Sequence, residues 1–179
     1  GKEYEDTRHN SGREASLYFA KKVDFPAFEL NKKANALVAE CKIGKEKVVI
    51  ILPETFMNKS GNVVTGLIKP KKEMKNTIVL HDDIDIPVGK IKISYGKNSG
   101  GHKGVESVMR ALKTKNFVRI RIGVCPKRKP DHKEQMKFIV GKWRPAEQAL
   151  IKKSFQRAAK TLETIITDSL ERAMSEYNQ

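Results

Sequence analysis

The segment Thr77-Ile78-Val79-Leu80-His81-Asp82-Asp83-Ile84-Asp85 joins a short apolar, β-branched run to a burst of carboxylates. Such a run is typical of a buried strand, and the carboxylates directly after it predict a polar site at the end of that strand. In open α/β folds, binding and catalytic sites lie in the crevice beyond the carboxyl ends of the strands. The segment therefore favours an α/β domain whose chemistry lies around Asp82.

The rest of the chain alternates strands and helices around this segment. Short apolar or β-branched runs predict five strands, at residues 36–42, 47–52, 77–81, 90–95 and 117–124. Helical periodicity predicts five helices, at residues 13–22, 56–68, 104–113, 131–142 and 145–176. Interleaved strands and helices in 179 residues indicate one α/β domain, residues 1–179, with a mainly parallel sheet.

The chain is strongly basic. Its 36 Lys and Arg residues outnumber its 21 Asp and Glu residues, which gives a formal net charge of +15. This excess favours a polyanionic partner, nucleic acid before an anionic membrane, although lysine can also serve solubility alone. Aromatic residues make up only 7% of the chain, so contacts with a nucleic-acid backbone are favoured over stacked bases. Basic clusters that could make such contacts lie at residues 69–72, 113–115 and 127–129.

Two further features narrow the class of protein. Cys41 and Cys125 have the spacing of neither a disulfide framework nor a zinc site, so we interpret both as buried free thiols. No apolar run approaches the length of a membrane span, and the chain begins without the hydrophobic core of a signal peptide. We therefore expect a soluble cytoplasmic protein.

His9 is the first candidate for catalysis. It lies in the polar run 7–12, where no apolar periodicity explains it, and imidazole suits proton transfer at neutral pH. Asp82 is its natural partner, because a carboxylate that accepts from one ring nitrogen leaves the other free to take a proton from water. Asp82, Asp83 and Asp85 can equally be turn residues or helix caps, and their irregular spacing fits a divalent ion less well.

Two other motifs offer polar groups to such a site. Asn58 begins a predicted helix after Phe56, and its amide could hold a water or a substrate carbonyl, although it can equally be a plain first-turn residue. The run 99–104 opens another predicted helix, where glycines and backbone N–H groups favour a phosphate. We expect His102 and Lys103 of this run to contact a phosphate or ribose, although its glycines also fit a merely flexible loop. The spacing of the run is not that of a nucleotide-binding loop, so no cofactor is predicted.

Five motifs together resemble the bacterial-type peptidyl-tRNA hydrolase family in order and spacing over nearly the whole chain. They are Tyr4 with Thr7-Arg8-His9-Asn10, Thr55-Phe56-Met57-Asn58-Lys59-Ser60-Gly61, His81-Asp82-Asp83-Ile84-Asp85-Ile86-Pro87, Gly100-Gly101-His102-Lys103-Gly104 and Phe117-Val118-Arg119-Ile120-Arg121-Ile122-Gly123. The resemblance implies a single α/β domain with a twisted mixed sheet surrounded by helices, acting as a monomer without metal or cofactor. It also implies hydrolysis of the ester between a peptide and the 3′ ribose of tRNA, so the partner is peptidyl-tRNA, bound at its acceptor stem and 3′ end.

The resemblance also implies roles for individual residues. His9 takes the position of the catalytic histidine, and Asp82 that of the aspartate that orients it. Asn58 corresponds to an asparagine that contacts the substrate and positions water. Tyr4 and Phe56 match substrate-contacting positions, and we expect Asn10 of the first motif to bind the substrate as well.

Two departures from the family pattern bear on function. The family begins with a hydrophobic strand ending in Gly-x-Asn-Pro-Gly, whereas this sequence starts at what corresponds to the last glycine, so we expect the first strand to be missing from it. Lys103 stands where the family usually carries an asparagine, and it could replace that contact with a grip on phosphate or impair catalysis. Lys103 and the high charge keep open a non-catalytic RNA-binding relative, like the chloroplast splicing proteins of this family. A plain esterase for small substrates is a third option, which the charge does not favour.

Overall fold

The computed structural model describes residues 4–68 and 74–178, and it confirms the α/β class. The helices of this part of the chain are α1 (Ser11–Lys22), α2 (Ser60–Leu67), α3 (Lys103–Leu112), α4 (His132–Ile139), α5 (Pro145–Thr167) and α6 (Leu170–Tyr177). The strands are β1 (Glu29–Asn31), β2 (Ala36–Ile43), β3 (Glu46–Pro53), β4 (Ile78–Pro87), β5 (Ile91–Tyr95) and β6 (Val118–Cys125). Within these described ranges, no helix combines the length and the apolar character needed to cross a bilayer.

The strands form two three-stranded sheets, and the expected mainly parallel pairing is wrong for the described residues. β1, β2 and β3 pair antiparallel, β6 pairs antiparallel with β5, and β4 pairs parallel with β6. The connections explain the difference, since parallel neighbours need a crossover of a dozen or more residues. β2 and β3 are joined only by Gly44 and Lys45, which makes a hairpin, whereas β4 and β6 are separated by β5 and α3.

Several predicted elements change their bounds. The predicted helix 145–176 is divided into α5 and α6, because Asp168 leaves the helical region and the Ser169 hydroxyl accepts a hydrogen bond from the N–H of Arg172. The predicted strand 77–81 continues to Pro87, and the three-residue strand β1 was too short to give a pattern in the sequence. The predicted helices 56–68 and 131–142 are shorter in the structure, as α2 and α4. Cys41 and Cys125 are free thiols, but both are half-buried rather than buried.

Strand β6 anchors the sheet that carries the acidic run. Its residues Ile120, Ile122 and Val124 are fully buried, and α1 and α5 cover this core with Phe19 and Ala158. The parallel register places Asp82 beside Ile122 and Asp83 beside Gly123, and it shifts before the next pair, Pro87 with Cys125. The carboxylates of the acidic run therefore lie where the regular pairing of β4 with the buried strand β6 is interrupted.

Gly12 allows α1 to lie directly on β4. A Cβ atom at Gly12 would come within 2.1 Å of the carbonyl oxygen of Leu80, a distance that no side chain tolerates. The absence of that atom permits close approach of the two backbones. The first turn of α1, and the residues just before it, are thereby held beside His81 and Asp82.

Candidate active site

His9 is carried by a 3₁₀ turn, Arg8–Asn10, that leads directly into α1. Arg8 fixes this turn: its side chain is 3% exposed, and its guanidinium lies 4.2 Å from the ring centre of Phe138 and 5.0 Å from that of Trp143. It pairs with Glu147 at 2.5 Å. It also donates to backbone carbonyls in and after α4, those of Phe138, Gly141 and Lys142. The backbone that carries His9 is therefore attached to the segment between α4 and α5.

The imidazole of His9 contacts the carboxylate of Asp82, as predicted across 73 positions of sequence. His9 Nδ1 lies 3.0 Å from Asp82 Oδ1 and 3.1 Å from Oδ2. An ionised carboxylate only accepts hydrogen bonds, so the network assigns the hydrogen to Nδ1. The other ring nitrogen, Nε2, is left with a lone pair, which is the arrangement a general base requires.

Asp82 accepts from a second imidazole on the same oxygen. His102 Nε2 lies 2.9 Å from Asp82 Oδ1, and the rings of His9 and His102 are 5.1 Å apart. Burial by itself would raise the pKa of Asp82, but the two imidazoles that contact it, His102 and then His9, lower that pKa far below its usual range. The Asp82 carboxylate is therefore charged at neutral pH.

His102 is also the N-cap of α3. Its Nδ1 accepts a hydrogen bond from the backbone N–H of Val105 at 3.2 Å. Both ring nitrogens of His102 are thus engaged within the protein, one on the helix and one on Asp82. Only 10% of its side chain is exposed.

His81 completes a cluster of three imidazoles around Asp82, and sequence reasoning gave it no role. Its ring lies 4.8 Å from that of His102, and its Nδ1 is 2.7 Å from the carbonyl oxygen of Asp82. Burial, reinforced by His102, lowers the pKa of His81 to about 3, so this ring is neutral at physiological pH. The sequence could have indicated a role for His81, since it directly precedes Asp82 in the acidic run.

His9, Asp82 and His102 also form the one group of described residues whose donor atoms lie close enough together to hold a metal ion, all within 4.8 Å. Their hydrogen-bond pattern fits protons better than a metal. Because His102 Nδ1 accepts from Val105, the hydrogen of this imidazole lies on Nε2, the atom that faces Asp82. A metal ligand needs a lone pair at that atom.

The segment carrying Asn58 lies beside the start of α3. A Cβ atom at Gly104 would come within 2.5 Å of Met57 Sδ. The absence of a side chain at Gly104 therefore allows Met57 to pack against α3. Phe56 is 61% exposed, and the exposed side chain of Asn58 makes no hydrogen bond to any residue that the structure describes. Both side chains are therefore free to meet a ligand near the N-terminal end of α3.

The structure places the other predicted site residues in different surroundings. Tyr4 is half-buried, and its carbonyl accepts from Thr7. Asn10 precedes α1 with 8% exposure, and its side chain makes no capping hydrogen bond. Lys103 is exposed at the first position of α3. Tyr4, Asn10 and Lys103 lie near His9 or His102 in the sequence. Direct hydrogen bonds, however, join only His9, Asp82 and His102 among the predicted site residues that the structure describes.

A basic cavity of about 420 Å³ adjoins the acidic end of β4. Its lining includes Arg119 and Arg121, and Arg121 Nε bonds Asp83 Oδ2 at 2.7 Å. Burial, and then the neighbouring Arg121, lowers the pKa of Arg119. Of the predicted basic clusters, residues 113–115 adjoin this cavity, because Lys115 Nζ donates to Asn98 Oδ1 of its lining at 3.3 Å. In the cluster 127–129, Lys129 pairs with Asp85. The cluster 69–72 lies outside the described residues.

Comparisons with known proteins agree on one family. The family model described as peptidyl-tRNA hydrolase matches residues 1–179. Curated peptidyl-tRNA hydrolases of Alkaliphilus metalliredigens and Alkaliphilus oremlandii are 37% and 38% identical over 179 residues, which is 99% of this chain and 94% of each relative. The crystal structure of peptidyl-tRNA hydrolase from Acinetobacter baumannii superimposes with a TM-score of 0.90 at 26% identity, covering 99% of this chain and 89% of that one.

Proposed function

Since this chain belongs to the peptidyl-tRNA hydrolase family, we propose that it hydrolyses the ester between peptide and tRNA with a water molecule activated by His9. Membership of the family supports the substrate and the class of reaction, hydrolysis of a carboxylic ester. The observation that carries the mechanism is the 3.0 Å contact between His9 Nδ1 and Asp82 Oδ1. It leaves His9 Nε2 as the free base.

The reaction proceeds in two proton transfers. His9 Nε2 takes a proton from water as the water oxygen forms a bond to the ester carbonyl carbon, and the charged Asp82 stabilises the resulting imidazolium. The bond between the carbonyl carbon and the 3′ oxygen of the ribose then breaks. The proton held by His9 passes to that oxygen, which yields a free peptide carboxylic acid and a tRNA with its 3′ hydroxyl restored.

We assign the exposed groups near the N-terminus of α3 to the substrate. The amide of Asn58 positions the water and donates to the oxygen that becomes negative in the transition state. Phe56 offers an exposed ring to the peptide or to the terminal base. Tyr4 and Asn10, on the other flank of His9, contact the substrate as well.

Lys103 is proposed to contact a phosphate near the 3′ end of the tRNA. It is exposed at the first position of α3, next to His102, and no described residue pairs with it. We expect Lys103→Ala to raise KM severalfold, to leave kcat within about threefold, and to reduce the slope of log KM against log salt by about 1, the effect of one lost phosphate contact. Steady-state kinetics at 50 to 300 mM salt measure this. A lowered kcat with an unchanged salt slope contradicts the phosphate contact.

We further propose that residues 1–179 act as one domain and as a cytoplasmic monomer that needs no metal, cofactor, membrane or protein partner. Its RNA ligand is the acceptor stem and 3′ end of peptidyl-tRNA. The metal-free mechanism is supported by the protons that occupy the contacts between His9, Asp82 and His102. An RNA partner is supported by the net charge of +15.

The decisive experiment compares two substrates with the purified protein in the presence of a chelator. We expect release of the blocked amino acid from N-acetyl-aminoacyl-tRNA, and at least 100-fold slower hydrolysis of the ethyl ester of the same N-acetyl amino acid. Equal rates on both would indicate a plain esterase. A salt-dependent gel shift with tRNA and no ester hydrolysis would instead establish a non-catalytic RNA-binding protein, and either result overturns the proposed function.

A further inference from the structure

The carboxylate of Asp82 has two imidazole partners, and both contact Oδ1. His9 Nδ1 lies 3.0 Å from this oxygen and His102 Nε2 lies 2.9 Å from it. The carboxylate is 4% exposed, so water replaces neither partner easily. The position and the charge distribution of Asp82 therefore depend on His102 as much as on His9.

The backbone fixes His102 independently of any substrate. Its Nδ1 caps α3 by accepting from the N–H of Val105, and Gly104 beside it packs under Met57. With one ring nitrogen on the helix and the other on Asp82, the ring has no nitrogen left for a phosphate or a ribose. The sequence-based expectation that His102 contacts the substrate thus has little support in its geometry.

We propose that His102 is a positioning residue, a second donor that holds the Asp82 carboxylate in place for His9 and ties this pair to the N-terminus of α3. The proposal rests on the proposed function, because its kinetic consequence concerns His9 as the base. His9, Asp82 and His102 then form a relay of three hydrogen-bonded side chains. Within this relay, only His9 Nε2 contacts the attacking water.

The relay has a consequence for the pH dependence. The titratable and charged groups around Asp82 are His9 from the turn before α1, His102 from α3, the neutral His81 from β4, and the ion pair of Asp83 with Arg121 of β6. When His102 no longer donates to Oδ1, more of the carboxylate charge acts on His9, and the His9 imidazolium becomes more stable. The acid limb of the pH–rate profile then moves to higher pH.

Two substitutions separate the roles of the two ring nitrogens. In His102→Asn, the short side chain keeps an acceptor for the N–H of Val105, since asparagine is among the best N-caps, but it does not reach Asp82. In His102→Gln, the longer amide places a donor near the former position of Nε2. The asparagine variant thus loses the contact with Asp82 and the glutamine variant retains it.

We expect His102→Asn to lower kcat about 10- to 100-fold, which is the effect of one lost charge-assisted hydrogen bond. KM stays within about twofold, and the acid limb moves upward by about half a pH unit or more, since half a unit corresponds to a modest change in charge interaction. His102→Gln recovers most of kcat and returns the limb towards its wild-type position. Circular dichroism and urea midpoints of both variants report whether the fold is kept.

Two kinetic outcomes would contradict the positioning role of His102, and they differ from each other. A rise in KM of tenfold or more with an unchanged pH profile shows that His102 contacts the substrate, and wild-type kinetics in His102→Asn show that the second donor is dispensable. Proton NMR of the substrate-free protein separates this proposal from the proposed function. The resonance of the His9 Nδ1–H should move in His102→Asn and return in His102→Gln whatever reaction the enzyme catalyses, and an unmoved resonance overturns the relay.

Discussion

The variant His9→Ala is expected to lower kcat for hydrolysis of N-acetyl-aminoacyl-tRNA by about 10²- to 10⁴-fold, the contribution typical of a general base. The physical reason is that His9 Nε2 carries a lone pair that no described residue occupies, because Nδ1 faces Asp82. Both nitrogens of His102 are engaged, and the unpartnered Nε2 of His81 is buried away from a substrate. Single-turnover rates measure the chemical step, and filter binding measures the affinity for tRNA, which should change less than threefold.

Three companion measurements make the result specific to the base. His9→Asn keeps a donor near the position of Nδ1 but has no base, so it should be as slow as His9→Ala. Added imidazole should restore part of the activity of His9→Ala, because the substitution opens space beside Asp82. His132 is exposed at the start of α4, and His132→Ala should retain wild-type kinetics. A loss of less than tenfold in His9→Ala removes His9 from the role of base.

The sequence predicted the contact between His9 and Asp82, the proposed catalytic pair, but not the surroundings of that pair. His9 and Asp82 were paired from chemistry alone, because one is an unexplained imidazole and the other ends a buried strand. The contact of His102 with Asp82 was not predicted, since it depends on the N-cap conformation that turns this ring away from solvent. Burial and hydrogen-bond partners of a polar residue are tertiary properties, and a short polar motif does not encode them locally.

The fold shows the same division between local and long-range information. Apolar periodicity located most helices and strands because it reports local burial. A mixed sheet with parallel pairing was predicted, but among the described strands only β4 and β6 pair parallel. The alternation of helices and strands overestimated the parallel share, because it does not count the residues in each connection. Arg8 is a further example: its position next to His9 suggested no structural role, yet it joins the turn that carries His9 to Gly141 and Glu147, more than 130 residues away.

The second large effect is expected for Asp82→Asn. One oxygen remains to accept from the two imidazoles, but an amide NH₂ replaces the other, and His9 Nδ1 lies within 3.1 Å of both positions. Two donors then face each other, so the His9 ring is favoured in the tautomer or orientation that lacks a base towards the substrate. Loss of the carboxylate charge also destabilises the imidazolium. We expect kcat to fall by about 10²- to 10⁴-fold, and the acid limb of the remaining activity to move to lower pH.

Stability provides an independent measurement of the same substitution. The pKa of Asp82 is lower in the folded protein than in the unfolded chain, so its stabilising contribution is complete above the unfolded value of about 4 and is lost as the pH falls below it. Urea unfolding should therefore show Asp82→Asn to be less stable by about 1–3 kcal/mol between pH 5 and 8, with a smaller difference below pH 4. Asp85→Asn is the matched control, since Asp85 lies in the same run but is exposed and paired with Lys129 at the surface, where solvent screening makes the loss of stability small. Equal losses of activity in the two variants would mean that the acidic run acts through its summed charge, and Asp82 would then have no special relation to His9.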